Sequence, residues 1–517
     1  MSEGETADQP SGGRRARRGR REAAPKLEQN PFRQVQNPLA YTNIVSEDEL
    51  EQIHLSSIDV LENIGIEFLL PEARDLLKQA GCKVEGERVF FDGGLIEEKI
   101  KTIPSEFTMH ARNPAKNIQI GGRNVAACAV ASAPNVSDLE GGRRTGNHKD
   151  YCNLLRLGQS LNAVHLFGGY PVEPVDVHAS IRHLVALRDV LTLSDKGFSA
   201  YALGYERITD AIEMARIARG ISHEQLHREP SVFTVVNANS PLRYDIPMLI
   251  GTIEMAKAGQ PSAITPFTLA GAMAPVTIAG ALVQQNAEAL AGLTLIQIVN
   301  PGAPAIYGGF TSNVDMKSGA PAFGTPEYMK AAMVGGQLCR RYGVPYRSSN
   351  VNASNTADAQ GAWESVFSLW GAVMGGAHML KHGAGWLEGG LCASYEKMVQ
   401  DADMLQMIYA FLEPLEISLE SLAVSTIGEV GPGGHFFGTD HTQARYKNAF
   451  FAPMVSDWRN FESWSEAGSP DAMTRSNVLC KELLAEYEEP ELDAAIREEL
   501  DAFVEKRIEE GGAPTDF

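Results

Sequence analysis

A run of hydrogen-bonding side chains, YRSSNVNASNTADAQ, lies about two-thirds of the way along the chain and follows a proline. It begins with Arg347 at the end of an apolar stretch and continues through Asn350, Asn352 and Ser354 into a predicted helix near Asp358. A guanidinium at such a position can bind a carboxylate through two parallel hydrogen bonds. The arginine therefore indicates a ligand with an acidic group, although an ion pair between Arg347 and Asp358 would explain it equally well.

Aromatic side chains end several of the apolar runs. A ring face attracts positive charge, so a set of rings could hold a quaternary ammonium group, which cannot donate a hydrogen bond. Any single ring could instead only pack in the core. The candidate binding residues for such a cation are Tyr170, Phe233, Phe267, Tyr307 and Trp386, and the strand ends also carry Glu173, Tyr201, Asn237 and Phe310. His382 is a candidate for positioning a carboxylate, or a core histidine.

The stretch GGHFFGTDHTQAR contains His435, Asp440 and His441, residue types that can bind a metal ion. The spacing supplies no further ligand, and Asp440 and His441 are equally consistent with the first turn of a helix. We therefore expect no metal site in this chain. The glycines around it predict a tight loop, and His435 and Phe436 are expected to face a bulky partner together with Asn350, Asn352 and Ser354.

The middle of the chain alternates between apolar runs and helical patterns. Parallel strands need helical crossovers, and strands buried on both faces read as continuous apolar runs. Eight such units predict a closed (β/α)8 barrel with its site at the carboxyl ends of the strands. The eight predicted strands lie in AVHLFGGYPVEP, GFSAYALG, SVFTVVNANSPL, SAITPFTLAGAMAPV, APAIYGGFTSN, VPYRSSN, AHMLKHGAGWLEGG and AVSTIGEVGPGGHFFG.

These patterns divide the chain into four predicted parts. Residues 1–30 form a basic tail that is expected to be disordered, and residues 31–160 form an α/β covering segment. The barrel occupies residues 161–450, and residues 451–517 form a helical extension, since their charged amphipathic pattern predicts a pair of helices.

Composition excludes several classes of function. The formal net charge of -20 argues against a nucleic-acid partner, because phosphate binding needs basic surfaces. No apolar stretch is long enough to predict a transmembrane helix. The six cysteines are scattered without a CxxC pair, which is typical of reduced thiols in a cytoplasmic protein. The sequence leaves homo-oligomerisation open.

Long blocks of the sequence resemble the trimethylamine methyltransferase superfamily. The blocks are NPGAPAIYGGFTSNVDMKSGAPAFGTPEYMKAAMVGGQLCRRYGVPYRSSN, DAQGAWES, GWLEGG and GPGGHFFGTDHT, and the similarity runs from about residue 35 to the C-terminus. The resemblance implies a (β/α)8 barrel that moves a methyl group from an amine to the Co(I) of a corrinoid protein. The corrinoid, a cobalamin, would be carried by that partner, and this chain would bind no cofactor of its own.

The family's trimethylamine enzymes carry pyrrolysine in the loop that matches SSNVNASNTADAQ. This chain has standard residues there, including Val351 and Asn352, so it is similar to the nonpyrrolysine, glycine betaine methyltransferase-like branch. A quaternary ammonium leaves as a neutral amine and needs no acid at its nitrogen. The resemblance therefore implies a betaine-type substrate. A sulfonium demethylase, a metal-dependent carbon–carbon lyase and a noncatalytic betaine-binding protein remain alternatives.

Overall fold

Eight parallel strands form a closed barrel in the computed structural model, which describes Leu27 and residues 29–515. Each strand pairs in parallel with its neighbours, and the last pairs with the first through Met379 and Ala126, which closes the ring. This confirms the predicted (β/α)8 barrel. The strands are β1 Asn124–Ala129, β2 Leu166–Phe167, β3 Gly197–Tyr201, β4 Val232–Val236, β5 Ser262–Ile264, β6 Ala305–Gly308, β7 Tyr346–Ser349 and β8 Met379–Ala384.

The first barrel strand was not predicted. β1 lies before Ala163, where the first strand was expected, and pairs with β2 through Cys128 and Leu166. Its sequence, NVAACA, contains mostly small residues, with Val125 as its one β-branched side chain and no aromatic residue, so it lacks the composition that usually indicates a strand. The strand that was predicted to be the first is therefore the second strand of the ring.

The last predicted strand is also wrong. The stretch AVSTIGEV contains the helix Val424–Val430 rather than a strand, and it follows another short helix, Leu419–Leu422. These two errors offset each other, so the predicted number of barrel strands was right although one of the eight was misplaced.

A helix follows each barrel strand and packs outside the ring. Their starts carry the expected caps: for instance, the side chain of Asp358 accepts a hydrogen bond from the N–H of Gly361. The helices are α1 His148–Ser160, α2 Arg182–Leu193, α3 Tyr205–Arg219, α4 Ile246–Lys257, α5 Ile278–Val299, α6 Pro326–Tyr342, α7 Ala359–Gly375 and α8 Tyr395–Phe411.

The N-terminal segment covers the amino end and one side of the barrel. A hairpin of Glu106–Met109 and Ile118–Gly121 places Met109, Ile118 and Ile120 in one apolar cluster with inward-facing barrel residues. The strand Val35–Gln36 pairs antiparallel to the start of β1. Around it lie the helices Glu47–Asp59, Pro71–Gln79 and Gly93–Ile100 and the strands Ile66–Phe68, Lys83–Glu85, Arg88–Phe90 and Arg243–Tyr244. Because the amino end is sealed in this way, a ligand can enter only from the carboxyl end.

Two small sheets border the carboxyl end of the barrel. One contains Asn135–Asp138, Gly142–Thr145, Trp386–Leu387 and Cys392–Ser394, and the other contains Leu269–Ala270, Ser312–Val314 and Pro321–Ala322. The remaining helices are His223–Arg228, Asp440–Arg445, Phe461–Glu466, Ala472–Ala485 and Ala494–Glu509. The last two confirm the predicted C-terminal helix pair.

Among the helices of the described residues, none combines the length and hydropathy that crossing a bilayer would require. The predicted disordered tail lies almost entirely outside the described residues, and the predicted limits of the four parts stay predictions.

Candidate active site

A cavity of about 470 Å³ lies at the carboxyl ends of the strands. Such a volume is within the range of roughly 300–1,000 Å³ that accommodates small organic ligands. Its position agrees with the site expected for this fold. The side chains that give it chemical character are Ser132, Glu173, Tyr201, Asn237, Thr265, Phe267, Phe310, Arg347, Lys381, His382 and Trp386.

A bulge in β8 brings Lys381 and His382 to the same cavity. Successive side chains of a regular strand point to opposite faces, so two neighbours would not normally line one site. Here the register with β1 shifts between Leu380 and Ala384, and His382 has a φ of 56°, a conformation that costs energy for a residue with a side chain. Such strain is typical of functional sites.

Arg347 and Lys381 form a buried cationic floor. Each is less than 4% exposed, and within the described part of the chain neither lies at ion-pair distance from a carboxylate. The Arg347 guanidinium lies 5.0 Å from the Phe310 ring and donates a long 3.4 Å hydrogen bond to the Gly309 carbonyl, while its Nε has no partner. The alternative pairing with Asp358 is excluded, because that carboxylate caps α7 and accepts from Ser354.

Burial lowers the pKa of three basic side chains in the cavity, Arg347, Lys381 and His382. The pKa of Arg347 falls to about 10, so it stays charged at neutral pH. The pKa of Lys381 falls to about 7, and the neighbouring Arg347 charge acts in the same direction. The pKa of His382 lies well below its usual value for the same reasons, so its ring is neutral. The floor therefore carries one permanent positive charge and one that titrates near neutrality.

Three aromatic rings, those of Phe267, Phe310 and Trp386, line the cavity as an aromatic wall, and the Phe323 ring packs against them. Phe310 lies at the centre of this wall, with ring centroids 5.1 Å from Phe267, 5.6 Å from Phe323 and 6.3 Å from Trp386. Trp386 also lies 4.2 Å from the neutral His382 ring, and its indole nitrogen donates to the Asn352 carbonyl. Rings at these separations can present several faces to one cation.

Another part of the cavity lining is polar and carries one acid, Glu173. The hydroxyl of Tyr201 lies 3.0 Å from Ser132 Oγ and accepts a hydrogen bond from the Tyr170 N–H. Glu173 lies beside it, and burial raises the pKa of its carboxyl while Arg182, 3.8 Å away, opposes that shift. The lining of one cavity thus contains the two basic residues of the floor and one acid.

Four of the seven predicted substrate-binding residues line this cavity: Phe267, Arg347, His382 and Trp386. The other three do not. Tyr170 lies behind Tyr201, with ring centroids 4.5 Å apart. Phe233 packs in the inner cluster beneath the floor, 5.4 Å from Lys381 Nζ.

Tyr307 faces the helix layer instead of the cavity, and its hydroxyl bonds Gln285 and Asn286 of α5. Tyr170, Phe233 and Tyr307 therefore do not line this cavity, and their predicted contact with the ligand stays a prediction.

Lys381 is the main residue that the sequence analysis missed. The available signal was a lysine inside the apolar run AHMLKHGA, where an unpaired charge is costly. Glu173, Tyr201, Asn237 and Phe310 were noted at strand ends, and all four line the cavity.

The polar side chains of the loop after β7 are buried. Asn350, Asn352 and Ser354 are each at most 2% exposed. The amide of Asn350 donates to the Gly383 carbonyl, that of Asn352 donates to the Trp386 carbonyl, and the hydroxyl of Ser354 donates to Asp358. In this structure the three side chains are buried, and their predicted contact with a partner stays a prediction. They fix the backbone that carries His382 and Trp386.

His435 and Phe436 lie far along the chain from the strand ends, in an exposed segment after α8, and do not line the cavity. Their partner-facing role stays a prediction. Among the described residues, the grouping with metal-ligand atoms close together is His148, Cys152 and Asp189. It lies between α1 and α2, away from the cavity, and its members are hydrogen-bonded to one another.

Comparison with known proteins identifies the family. The family model described as trimethylamine methyltransferase (MTTB) matches residues 11–512. A glycine betaine methyltransferase of Desulfitobacterium hafniense (strain Y51) is 37% identical over 471 residues, covering 91% of this chain and 98% of the relative.

Two proteins named trimethylamine methyltransferase MttB are more distant. That of D. hafniense (strain DSM 10664 / DCB-2) is 28% identical over 90% of this chain and 94% of its own length. That of Methanosarcina barkeri is 27% identical over 90% of this chain and 95% of its own length. With a barrel, a cavity at its carboxyl end and a family match over nearly all of its length, this chain belongs to the trimethylamine methyltransferase (MTTB) family and is a methyltransferase.

Proposed function

We propose that this chain takes a methyl group from a quaternary amine that bears a carboxylate, with glycine betaine as the simplest case, and transfers it to the Co(I) of a separate corrinoid protein. The observation that carries the proposal is the pair Arg347 and Lys381, two buried cations without a carboxylate partner among the described residues, next to an aromatic wall. The similarity to a glycine betaine methyltransferase supports the same choice.

The cationic floor fits the acid end of such a substrate. A buried charge without a partner is costly, and a ligand carboxylate would supply the missing partner. The free Nε of Arg347 is available for a second hydrogen bond to that group. A plain cation such as a protonated amine would instead be repelled by the floor, so the charges favour a zwitterion.

The aromatic wall fits the ammonium end. Phe267, Phe310 and Trp386 offer ring faces, and the neutral His382 adds no repulsion. Rings hold the ammonium less tightly than carboxylates would, which matters because its charge disappears as the methyl group leaves. The cavity would then orient one methyl group toward the open end.

The reaction needs no acid at the leaving nitrogen. The carbon–nitrogen bond breaks, nitrogen keeps the electron pair and a neutral tertiary amine remains. The acceptor supplies the electron pair for the new bond to carbon. The residues described here therefore have to bind, orient and exclude water, and none has to move a proton.

The rim of the cavity offers a surface for the acceptor protein. Five large apolar side chains are exposed in the connections that follow barrel strands, and exposed apolar groups clustered around a site favour protein contact. They are Leu139 after β1, Val175 after β2, Val276 after β5, Met316 after β6 and Leu391 after β8.

Methylation of free cob(I)alamin, followed by its visible spectrum, tests the proposal. Glycine betaine, tetramethylammonium, trimethylamine and dimethylsulfoniopropionate would be compared as donors. We expect methylated cobalamin and dimethylglycine from glycine betaine, with a much lower rate from tetramethylammonium because it lacks the carboxylate.

Two outcomes would overturn this assignment. Transfer from trimethylamine alone would contradict the quaternary substrate, and faster transfer from dimethylsulfoniopropionate would replace the amine by a sulfonium. Tight binding of glycine betaine in calorimetry without methyl transfer to cob(I)alamin or to a corrinoid protein would mean that the ligand is not the donor.

The affinity for glycine betaine should fall as pH rises through about 7. Lys381 is protonated below its pKa of about 7 and attracts the carboxylate, whereas above it only Arg347 remains charged. A charge-assisted hydrogen bond contributes about 1.5–3 kcal/mol, so we expect Kd to rise by about tenfold or more between pH 6 and pH 8.5. Calorimetry without the corrinoid measures this directly.

Lys381→Arg should bind with little pH dependence, because its charge persists, and Lys381→Met should bind weakly at every pH. If Lys381→Met kept the wild-type pH profile, another group would be responsible.

Trp386→Leu should weaken the binding of glycine betaine more than that of 3,3-dimethylbutanoate, which keeps the carboxylate but has a neutral tert-butyl group in place of the trimethylammonium group. A desolvated cation–π contact contributes about 1–2 kcal/mol, so we expect a loss of roughly 5- to 30-fold for the cation alone. Competitive binding of both ligands to wild type and variant measures the difference. Equal losses for the two ligands would show that the ring contributes shape rather than charge recognition.

A further inference from the structure

The segment between α8 and Met454 leaves the body of the protein and returns to it. We call residues 413–453 the arm. It begins where Glu413 forms an ion pair with Arg33, and it ends where the N–H groups of Met454, Val455 and Ser456 donate to the carboxylate of Asp403 on α8. Both ends are therefore fixed to the same side of the barrel.

Residues 414–453 are bonded only to one another. Within the described residues, every hydrogen bond, ion pair and ring contact found for them joins two positions of the arm itself. Examples are Arg445 with Glu420, Gln443 with the Phe437 carbonyl and His435 with Phe437. Among residues 29–515, no polar contact attaches the middle of the arm to the barrel.

The arm also exposes large apolar side chains. Leu419 is 93% exposed, Phe450 is 87% exposed and Phe437 is 80% exposed. Ordering one residue costs about 1–2 kcal/mol in backbone entropy, which only burial of apolar surface can offset on this scale. The arm thus needs a surface to cover it. Its other exposed apolar residues are Leu415, Ile417, Leu422, Val424, Ile427, Phe436 and Tyr446.

A second exposed apolar surface lies beside the base of the arm. Trp363, Phe367 and Trp370 follow one face of α7 at spacings of four and three residues, and Met407 and Phe411 follow α8. The Trp370 and Phe411 rings meet edge to face at 5.2 Å, so the two rows are continuous. We call these five residues the α7/α8 patch.

We propose that the arm of one copy of this chain covers the α7/α8 patch of a second copy, and that the exchange is reciprocal. An interface in which each copy offers the same two surfaces closes by two-fold symmetry. The arm and the patch would then each be buried without any other partner.

The area available is sufficient for a stable dimer. An aromatic side chain buries about 150–250 Å², so three or four arm aromatics with the neighbouring aliphatic residues supply on the order of 800 Å² per copy, which is the usual size of a specific interface.

The position of the arm argues against other occupants. Helices of a barrel run back toward the amino ends of the strands, so α8 ends at the opposite end from the cavity. Arg33, which meets the start of the arm, lies next to the strand Val35–Gln36 on the start of β1. A methyl acceptor that docks over the cavity would thus not cover the arm.

The net negative charge of the arm and its flanks argues against an anionic membrane as the surface that covers the arm. Residues 412–462 contain seven acidic and three basic side chains, so an acidic membrane would repel this region.

Light scattering on the full chain tests the proposal. Wild type should have at least twice the monomer mass of 56.0 kDa, and the variant Phe437→Asp/Phe450→Asp should be monomeric at the same concentration, with at least 100-fold weaker association. Trp363→Asp/Phe411→Asp should behave likewise. Leu55→Asp changes an apolar residue elsewhere that is about as exposed as Phe411, and it should leave the mass unchanged.

Mixing the two double variants shows whether they are monomeric because they lack one contact surface or because the substitutions unfold them. The first variant keeps an intact patch and the second keeps an intact arm, so the mixture should associate through one of the two contacts although neither variant does so alone. Amides of the wild-type arm should be protected from hydrogen exchange at high protein concentration and lose protection on dilution.

Several results would overturn the proposal. A monomeric wild type with an unprotected arm would do so, as would an arm variant that keeps the wild-type mass. A monomer whose arm variants lose only methyl transfer to the acceptor protein would assign the arm to that protein, and one that binds anionic vesicles through the arm would assign it to a membrane.

Discussion

Replacing Arg347 with methionine should lower kcat/KM for glycine betaine by a factor of roughly 30 to 160. The guanidinium is buried, keeps its charge at neutral pH and has an unpaired Nε at the cavity floor. A hydrogen bond to a charged group is worth up to about 3 kcal/mol, and we expect a loss of about 2–3 kcal/mol when the substrate carboxylate loses this partner. The loss should fall on KM, because the contact forms equally in the ground state and the transition state.

The substrate provides the control for this prediction. Tetramethylammonium has no carboxylate, so Arg347→Met should change its slow transfer by less than threefold, or should even improve it by removing a repulsive charge. Arg347→Lys should recover only part of the activity, since a single ammonium cannot reproduce the two parallel bonds. Thermal unfolding of each variant checks that the fold persists. An unchanged KM for glycine betaine would reject the carboxylate-binding role.

The barrel itself could be predicted because the sequence repeats one pattern. Buried parallel strands appear as apolar runs, and each must be followed by a helix that returns the chain. The pattern fails where strand and helix look alike. β1 uses small residues that fit a crowded ring, and the helix Val424–Val430 carries apolar side chains that its own chain leaves exposed. An apolar surface that a partner would cover therefore has the same sequence pattern as an element buried in the core.

The site was predictable only in part. A position at the end of a strand does not determine how deep in the barrel a side chain lies, or whether it points into or out of the ring. Phe233 points inward but lies one layer below the floor, and Tyr307 points outward although it precedes Phe310 by only three residues. Lys381 reaches the cavity beside His382 only because β8 has a bulge, which depends on its pairing with β1. Arg347 was predictable because a charge at a buried strand end requires a partner that the sequence does not supply.

Replacing Lys397 with methionine should cost about 3–5 kcal/mol in the free energy of unfolding. Lys397 is buried in α8, pairs with the buried carboxylate of Asp401 and donates to the Ser365 hydroxyl at 2.8 Å. Asp401 in turn accepts from the N–H of Gly385 at the end of β8. Removal of one member of a buried ion pair leaves the other charge uncompensated, and this is more costly than the absence of both.

The pH dependence of the Lys397→Met variant identifies this cause. Burial already raises the pKa of Asp401, and loss of the lysine raises it further. When the pKa of a carboxyl is higher in the folded state than in the unfolded state, the protein becomes less stable as pH rises above the pKa of the unfolded state. The loss of unfolding free energy caused by Lys397→Met should therefore be smaller at pH 5 than at pH 8. Denaturant unfolding at both values measures it.

The double variant Lys397→Met/Asp401→Asn separates the charge from the packing. The asparagine oxygen can still accept from Gly385, and no charge remains unpaired, so most of the lost stability should return and the pH dependence should disappear. A double variant as unstable as Lys397→Met alone would mean that the lysine acts through its packing and its bond to Ser365. The pair would then have no separate part in holding the end of β8, from which Lys381 and His382 reach the cavity.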